Sequence, residues 1–315
     1  MTPSFVAPEI ETPATAPGDA RLGHLLGSKL TTSSRPRAVI IGFPSDEGVH
    51  RNGGRVGAAG APNEIRRWLY RLTPDAQNHE SFVELLERTL DLGDLKCGDD
   101  VEQDQAALGE AVAQYLKEGI FPIILGGGHE TSYGHFLGYV GANKECEILN
   151  WDSHPDVRKM MDDGRGHSGS PFRQALLHDS GLCKRYTVAG LQPQSVAASH
   201  LSFLDDHRGR YVWRANVTAQ LIPSLYAEAA SESGVLATFD MDAVDGAWAP
   251  GVSAPAVGGI SSDLWLAAAY QAGRSTRVTS FDLCEVNPVY DVDGRTARLA
   301  AVTVWQLLRG LAERE

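Results

Sequence analysis

From residue 36 onward, short apolar runs alternate with longer amphipathic stretches. The runs Ala38–Phe43, Pro122–Leu125, Glu147–Trp151, Tyr186–Leu191, Val235–Phe239 and Val278–Leu283 predict strands. Between them Pro62–Arg71, Val101–Glu118, Ser132–Val140, Pro171–His178, Asp263–Ala272 and Thr296–Glu313 predict helices. That alternation predicts βα units built around a parallel sheet. The first 35 residues break the pattern. Pro3, Pro8, Pro13 and Pro17 interrupt them, with Pro36 just beyond, and no helical period persists. An irregular arm over residues 1–35 and one α/β domain over residues 36–315 are therefore expected. Length alone, 315 residues, favours two domains, but no repeat, low-complexity tract or linker divides the chain.

Composition narrows the function classes. The chain is 43% hydrophobic and 22% charged, which is the profile of a large-cored globular protein and not of disorder. Its formal net charge of −12 argues against a nucleic-acid partner and against polybasic docking on an anionic membrane. No apolar run reaches the roughly 18–20 residues that span a bilayer. The four cysteines, Cys97, Cys146, Cys183 and Cys284, are far apart and form no CxxC, so free thiols in a reducing, cytoplasmic setting are expected.

In open α/β sheets ligands bind beyond the carboxyl ends of the strands. Four of the predicted strands end in residues that bear chemistry: Gly126-Gly127-Gly128-His129-Glu130, Asp152-Ser153-His154-Pro155-Asp156, Asp240-Met241-Asp242 and Glu285-Val286-Asn287-Pro288. In an extended strand end, residues two apart share a side, which groups Asp152, His154 and Asp156, and likewise Asp240 with Asp242. Taken singly, each segment has a plainer explanation. A glycine-rich turn is often structural, and an Asp-x-Asp is often a solvated loop. Jointly they point to a metal site, because four buried carboxylates are strongly unfavourable as bare charges. Four carboxylates and two imidazoles with no thiolate suit a pair of hard or borderline divalent ions such as Mn²⁺. Two such ions can share a water and lower its pKa.

GGGHE, NWDSHPD and FDMDAVDGAWAPGVSAP, in this order, resemble the three signature segments of the ureohydrolase family of arginases, agmatinases and formiminoglutamases. The resemblance runs from about Ile40 to the C-terminus. It implies a single three-layer α/β domain with a central, mainly parallel sheet, assembled as a homo-oligomer, a trimer or a hexamer, around two Mn²⁺ per chain. By motif position, His129, Asp152, Asp156 and Asp240 hold one ion. Asp152, His154, Asp240 and Asp242 hold the other, with Asp152 and Asp240 bridging. His167, in GRGHSGSPFRQ, matches the histidine that passes a proton to the leaving amine, and Glu285 matches the acid that pairs with the cationic substrate group. Asp242 joins the metals in stabilising the tetrahedral intermediate formed when a metal-bridging hydroxide attacks.

Within the family, GFPSDEGVHRNGGRVGAAGAP, GGGHE in place of GGDHS, GHSGSPFRQ and CEVNPVYDVDGRTARLAA are most similar to the formiminoglutamase branch. VDGAWAPGVSAP differs from the usual arginase and agmatinase run. The branch implies hydrolysis of the small-molecule substrate N-formimino-L-glutamate to L-glutamate and formamide, as in histidine degradation. A dicarboxylate needs fixed cations, and Arg158, two residues after Asp156, is the motivated choice, with Arg55 and Arg173 as further candidates. Two alternatives stay open: another ureohydrolase that releases urea, and a non-catalytic oligomeric member. His24, His79, His200 and His207 are expected to face solvent, His135 to pack in the core, and His50 to lie in an arginine-rich loop as a further candidate for substrate contact.

Overall fold

In this computed structural model, residues 3–8, 10–27, 35–98, 100–228 and 234–314 are described. Nine strands form one sheet: β1 (Phe5–Val6), β2 (Ala38–Phe43), β3 (Thr89–Leu95), β4 (Phe121–Gly126), β5 (Cys146–Trp151), β6 (Cys183–Leu191), β7 (Gly209–Trp213), β8 (Gly234–Asp240) and β9 (Val278–Cys284). Their spatial order is β1-β3-β2-β4-β9-β8-β5-β6-β7. Every pairing is parallel except that of β1 with β3. All six expected strands are present, each within a few residues of its expected ends, and the helix Val101–Glu118 has the expected ends. Asp100 caps that helix by accepting the Gln103 N–H at 3.1 Å, and Gly119 ends it at φ +68°.

The strands are apolar on both faces because both faces are covered. Along β2, Ala38 and Ile40 enter one core, while Val39, Ile41 and Phe43 enter the other. The first core packs the helices Ala61–Leu69, His79–Glu87, Ser262–Arg274 and Arg295–Ala312. The second packs Val101–Glu118, Thr131–Ala142, Pro171–Leu177 and Ala198–Asp206. This is the three-layer arrangement expected from the alternation of short apolar runs with amphipathic stretches.

Two strand positions depart from the pattern reading, and both lie near sheet edges. β7 is only partly buried and its apolar run, Tyr211–Trp213, is just three residues long. β3, TLDLGDL, carries Asp91 and Asp94 in its interior. Both acids are met by Arg66, which is buried on the helix Ala61–Leu69. Its guanidinium donates to Asp91 at 2.8 and 3.0 Å, to Asp94, and to the Gly93 carbonyl at 3.1 Å. The arm is also more ordered than expected. Phe5–Val6 pairs with β3, and Leu22, in the short helix Leu22–Leu25, is fully buried. Residues 1–2, 9 and 28–34 of the arm lie outside the described residues.

The Arg66 pairs test the edge directly. Removing the cation leaves two mostly buried carboxylates uncompensated, so Arg66→Ala is expected to destabilise the chain by about 3–5 kcal/mol. Denaturant unfolding measures this, and a loss under about 1 kcal/mol would contradict the assignment. Arg66→Lys is expected to restore only part, because an ammonium lacks the two-pronged geometry.

Candidate metal centre and active-site pocket

Four neighbouring strands, β4, β9, β8 and β5, deliver the four motifs to one place. His129 follows β4, Glu285 follows β9, Asp240 ends β8 with Asp242 just beyond, and Asp152 follows β5. The glycines after β4 permit the close approach. A Cβ on Gly127 would lie 1.9 Å from the Ser45 carbonyl oxygen. The bare backbone there accepts the Glu285 N–H at 2.8 Å, while the Gly128 N–H donates to Ser45 at 2.9 Å. Glu285 and Asp156 both sit at positive φ, +67° and +43°. Left-handed backbone at non-glycine residues is strained and concentrates at functional sites.

The side chains form two groups that share Asp152. Ligand atoms of His129, Asp152, Asp156 and Asp240 lie within 4.8 Å of one another, as do those of Asp152, His154 and Asp242. His129 Nδ1 is 2.9 Å from Asp156, 3.0 Å from Asp240 and 3.5 Å from Asp152. His154 Nδ1 is 3.2 Å from Asp242 and 3.5 Å from Asp152. Asp240 falls in the first group and also reaches toward Asp242 of the second. One of its oxygens accepts the Asp242 N–H at 2.8 Å.

A buried polar chain sets the tautomer of His129. The Thr238 hydroxyl donates to Asp282 at 2.6 Å, so it accepts from His129 Nε2 at 3.0 Å. Nε2 then carries a proton, which leaves Nδ1 as the ring nitrogen that faces the carboxylates and would bind a cation. Asp282 is anchored in turn by Ser132 and by His135, whose Nδ1 lies 2.6 Å away. His135 is thus a core residue, as expected.

Electrostatics test whether this set fits cations. Burial pushes the Asp240 carboxyl well above its ordinary range, and Asp242 and Asp152 push it further. Burial raises Asp242 to about 7 against the pull of His154. Burial, with Asp240 and Glu130, drives Glu285 well up. Asp242 raises His154 to about 12, and burial is outweighed at His129 by Asp240 and the neighbouring acids. Asp152 goes the other way: against the effect of burial, His129 and His154 hold it below its ordinary range, while Asp240, Asp242 and Glu285 retain protons where no cation offsets their charge. Asp242 Oδ1 is also buried with no hydrogen-bond partner among the described residues. An oxygen-rich donor set with an orphaned carboxylate oxygen and no thiolate fits hard divalent ions.

The pocket above the groups has a volume of about 100 Å³. Asp240, Asp242 and Glu285 lie on its lining, along with Asn52, Arg158, Ser168, Ser195, His200 and Ser253. A larger cavity, about 940 Å³, opens at the opposite end of the strands and is lined by none of the site's acids or histidines. Arg158 stands at the pocket and donates to Asn52 at 3.1 Å. The other two candidate arginines do not line it. Arg55 donates to the Ser253 and Val252 carbonyls and lies over Tyr290, and Arg173 donates to the Val157 carbonyl and lies over Phe203. Both hold loops in place.

His167 also stands apart from the pocket lining. Its Nδ1 accepts the Gly169 N–H at 3.1 Å and its Nε2 donates to the Lys159 carbonyl at 3.0 Å. His50 is exposed beside Glu47. Two residues escaped the pattern reading. Glu130, within GGGHE, accepts the Gly48 N–H at 2.9 Å and holds the helix Glu47–Arg51, which leads to Asn52; burial pushes its carboxyl up to about 7. His200 lines the pocket instead of facing solvent. No spacing signal marks it, because it lies on the separate helix Ala198–Asp206.

All four cysteines are free, and among the described residues no helix is long and apolar enough to cross a membrane. The Arginase family model matches residues 36–309. The chain is 40% identical to a formimidoylglutamase of Geobacillus kaustophilus, over 90% of this chain and 87% of that one. It is 35% identical to a formimidoylglutamase of Chromobacterium violaceum, over 93% and 94%. The crystal structure of Trypanosoma cruzi formiminoglutamase with Mn²⁺ superposes at a TM-score of 0.86 and 31% identity, covering 94% of this chain and all of that one. The fold, the order of the motifs and these similarities agree: this chain belongs to the arginase family.

Proposed function

We propose that the protein hydrolyses N-formimino-L-glutamate to L-glutamate and formamide at a site holding two Mn²⁺. The observation that supports it most is the pair of ligand groups sharing Asp152, set beside Glu285 in a pocket that has Arg158 on its lining. Acids and an arginine line the same pocket, which complements an amidinium tail and a carboxylate head. Agmatine, with no carboxylate, has no use for Arg158. The relatives named formimidoylglutamase support the same substrate.

His129, Asp152, Asp156 and Asp240 would hold one ion, and Asp152, His154, Asp240 and Asp242 the other. When bound, the pair supplies Lewis acidity and a water of lowered pKa. The chain's own residues do the rest. Glu285, fixed by the His129 N–H at 2.9 Å, accepts from the amidinium N–H groups and orients the reacting carbon. Asp242 offers its unpartnered oxygen to the charge that shifts during attack. His167 carries the Nε2 proton and delivers it to the departing glutamate nitrogen by releasing the Lys159 carbonyl. This reading includes a cytoplasmic trimer or hexamer, on the strength of the family resemblance.

A substrate panel of formiminoglutamate, arginine, agmatine and guanidinobutyrate with Mn²⁺-loaded protein tests the assignment. Formamide from the first is expected; urea from any of the others, without formamide, would overturn it. Loss of a ligand is expected to exceed the ~10–100-fold cost typical of outer-shell changes, so Asp240→Ala and His154→Ala should lose nearly all activity and bind less metal. Full activity in either variant would sink the binuclear site. His167→Asn is expected to lower kcat by about 10²–10⁴-fold with KM nearly unchanged, and an unchanged kcat would make His167 a loop latch only.

The titrations give a pH prediction. Asp242 is raised in the folded chain, so its stabilising proton is lost as pH climbs from the unfolded carboxyl value toward about 7. His154 is raised to about 12, so its contribution begins to fall above the ordinary histidine value. Both slopes have the same sign. The Tm of metal-stripped protein is expected to fall between about pH 5 and 8, and the Tm gain on adding Mn²⁺ to grow over the same window. A Mn²⁺ gain that shrinks with pH would contradict this.

A further inference from the structure

We infer that His200 is a specificity-determining residue, which with Arg158 receives the side-chain carboxylate of the substrate in the pocket beside the metal groups. The inference rests on the dicarboxylate reading above and names a residue that no motif marks.

Three observations converge on it. His200 lines the same pocket as Asp240, Asp242 and Glu285, although it comes from the separate helix Ala198–Asp206. Its Nδ1 is sealed from solvent and has no hydrogen-bond partner among the described residues. An imidazole nitrogen left this way is unfavourable, and the cost is recovered when the ring turns to meet an incoming acceptor. Its surroundings are cationic: burial lowers its pKa, and Arg158 lowers it further, with Arg173 on the same side and only Asp156 opposing. His200 is therefore a neutral N–H donor beside a fixed positive charge, which is a complement to a carboxylate and not to an amine.

The arginine beside it is positioned and unspent. Its stem lies over Gly169, where a Cβ would fall 2.9 Å from Arg158 Cδ. Asn52 accepts from its Nη1 at 3.1 Å and is itself fixed by donating to Ser168 at 3.1 Å. No carboxylate pairs with Arg158 among the described residues, and the hydroxyls of Ser195 and Ser253 complete the polar lining. Arg158 is exposed, whereas Asp152, Asp240 and Asp242 are buried, so Arg158 stands at the mouth of the pocket. In N-formimino-L-glutamate the α-carboxylate sits next to the amidine nitrogen, and the side-chain carboxylate is the one that extends toward the mouth.

The test compares wild type, His200→Leu and His200→Gln on two substrates, N-formimino-L-glutamate and N-formimino-L-2-aminobutyrate, which lacks only the side-chain carboxylate. Losing a hydrogen bond to a charged group is expected to raise KM for the first substrate by about 10–100-fold in His200→Leu, with kcat changed by less than about three-fold. KM for the second substrate should not move. His200→Gln, which keeps a donor, should recover much of the loss. Bound Mn²⁺ and Tm equal to wild type show that the pocket is intact; if the Leu variant does not fold, His200→Ala, which also lacks a donor, gives the same comparison. An unmoved KM in a folded variant overturns the proposal, as does an equal rise on both substrates. Wild type that releases no formamide overturns the substrate reading and this proposal together, so the two failures are distinct.

Discussion

Mutual repulsion among buried carboxylates is the constraint on which the rest of this molecule depends. Asp152, Asp240 and Asp242 are each buried, and Asp156 is nearly so, within reach of two histidines. In a low-dielectric interior such charges cannot all ionise unaided. The upward displacement of Asp240, Asp242 and Glu285 is the expected symptom. Divalent cations remove the conflict and convert an electrostatic liability into a catalytic centre. The whole-chain charge of −12 says little about this, since the local balance is set by a few side chains at one end of the sheet.

The sheet exists, functionally, to hold those carboxylates at fixed separation. The strands that carry them are consecutive in space but not in sequence, in the order β4-β9-β8-β5. Behind His129, the chain through Thr238, Asp282 and His135 is fully buried and hydrogen-bonded, so the ring has one tautomer and one orientation. Ahead of it, the bare backbone of Gly127 lets the loops after β2 and β9 close on the end of β4. Positioning residues of this kind are what allow a site to act without reorganising.

Much of this was legible in the sequence, and the limits of legibility have physical causes. The inner strands were readable because two covered faces demand continuous apolar runs. β3 was hidden by Asp91 and Asp94, whose charges are cancelled by an arginine far away in sequence, and β7 by an edge position that needs no apolar run. The six metal-site residues were readable because each follows an apolar run directly. Arg55 and Arg173 looked like carboxylate binders because charge alone cannot reveal that their guanidinium groups already serve backbone carbonyls. His200 looked like a surface residue because helix packing, and not local pattern, brings it to the pocket.

The central claim is that two ions at one end of the sheet make the acids work together on an amidine. Titrating Mn²⁺ into metal-stripped protein while following formamide release from N-formimino-L-glutamate tests it most directly. The account predicts that activity rises from near zero and reaches its plateau at two ions per chain. Full activity in the stripped protein, or a plateau at one ion, would contradict it.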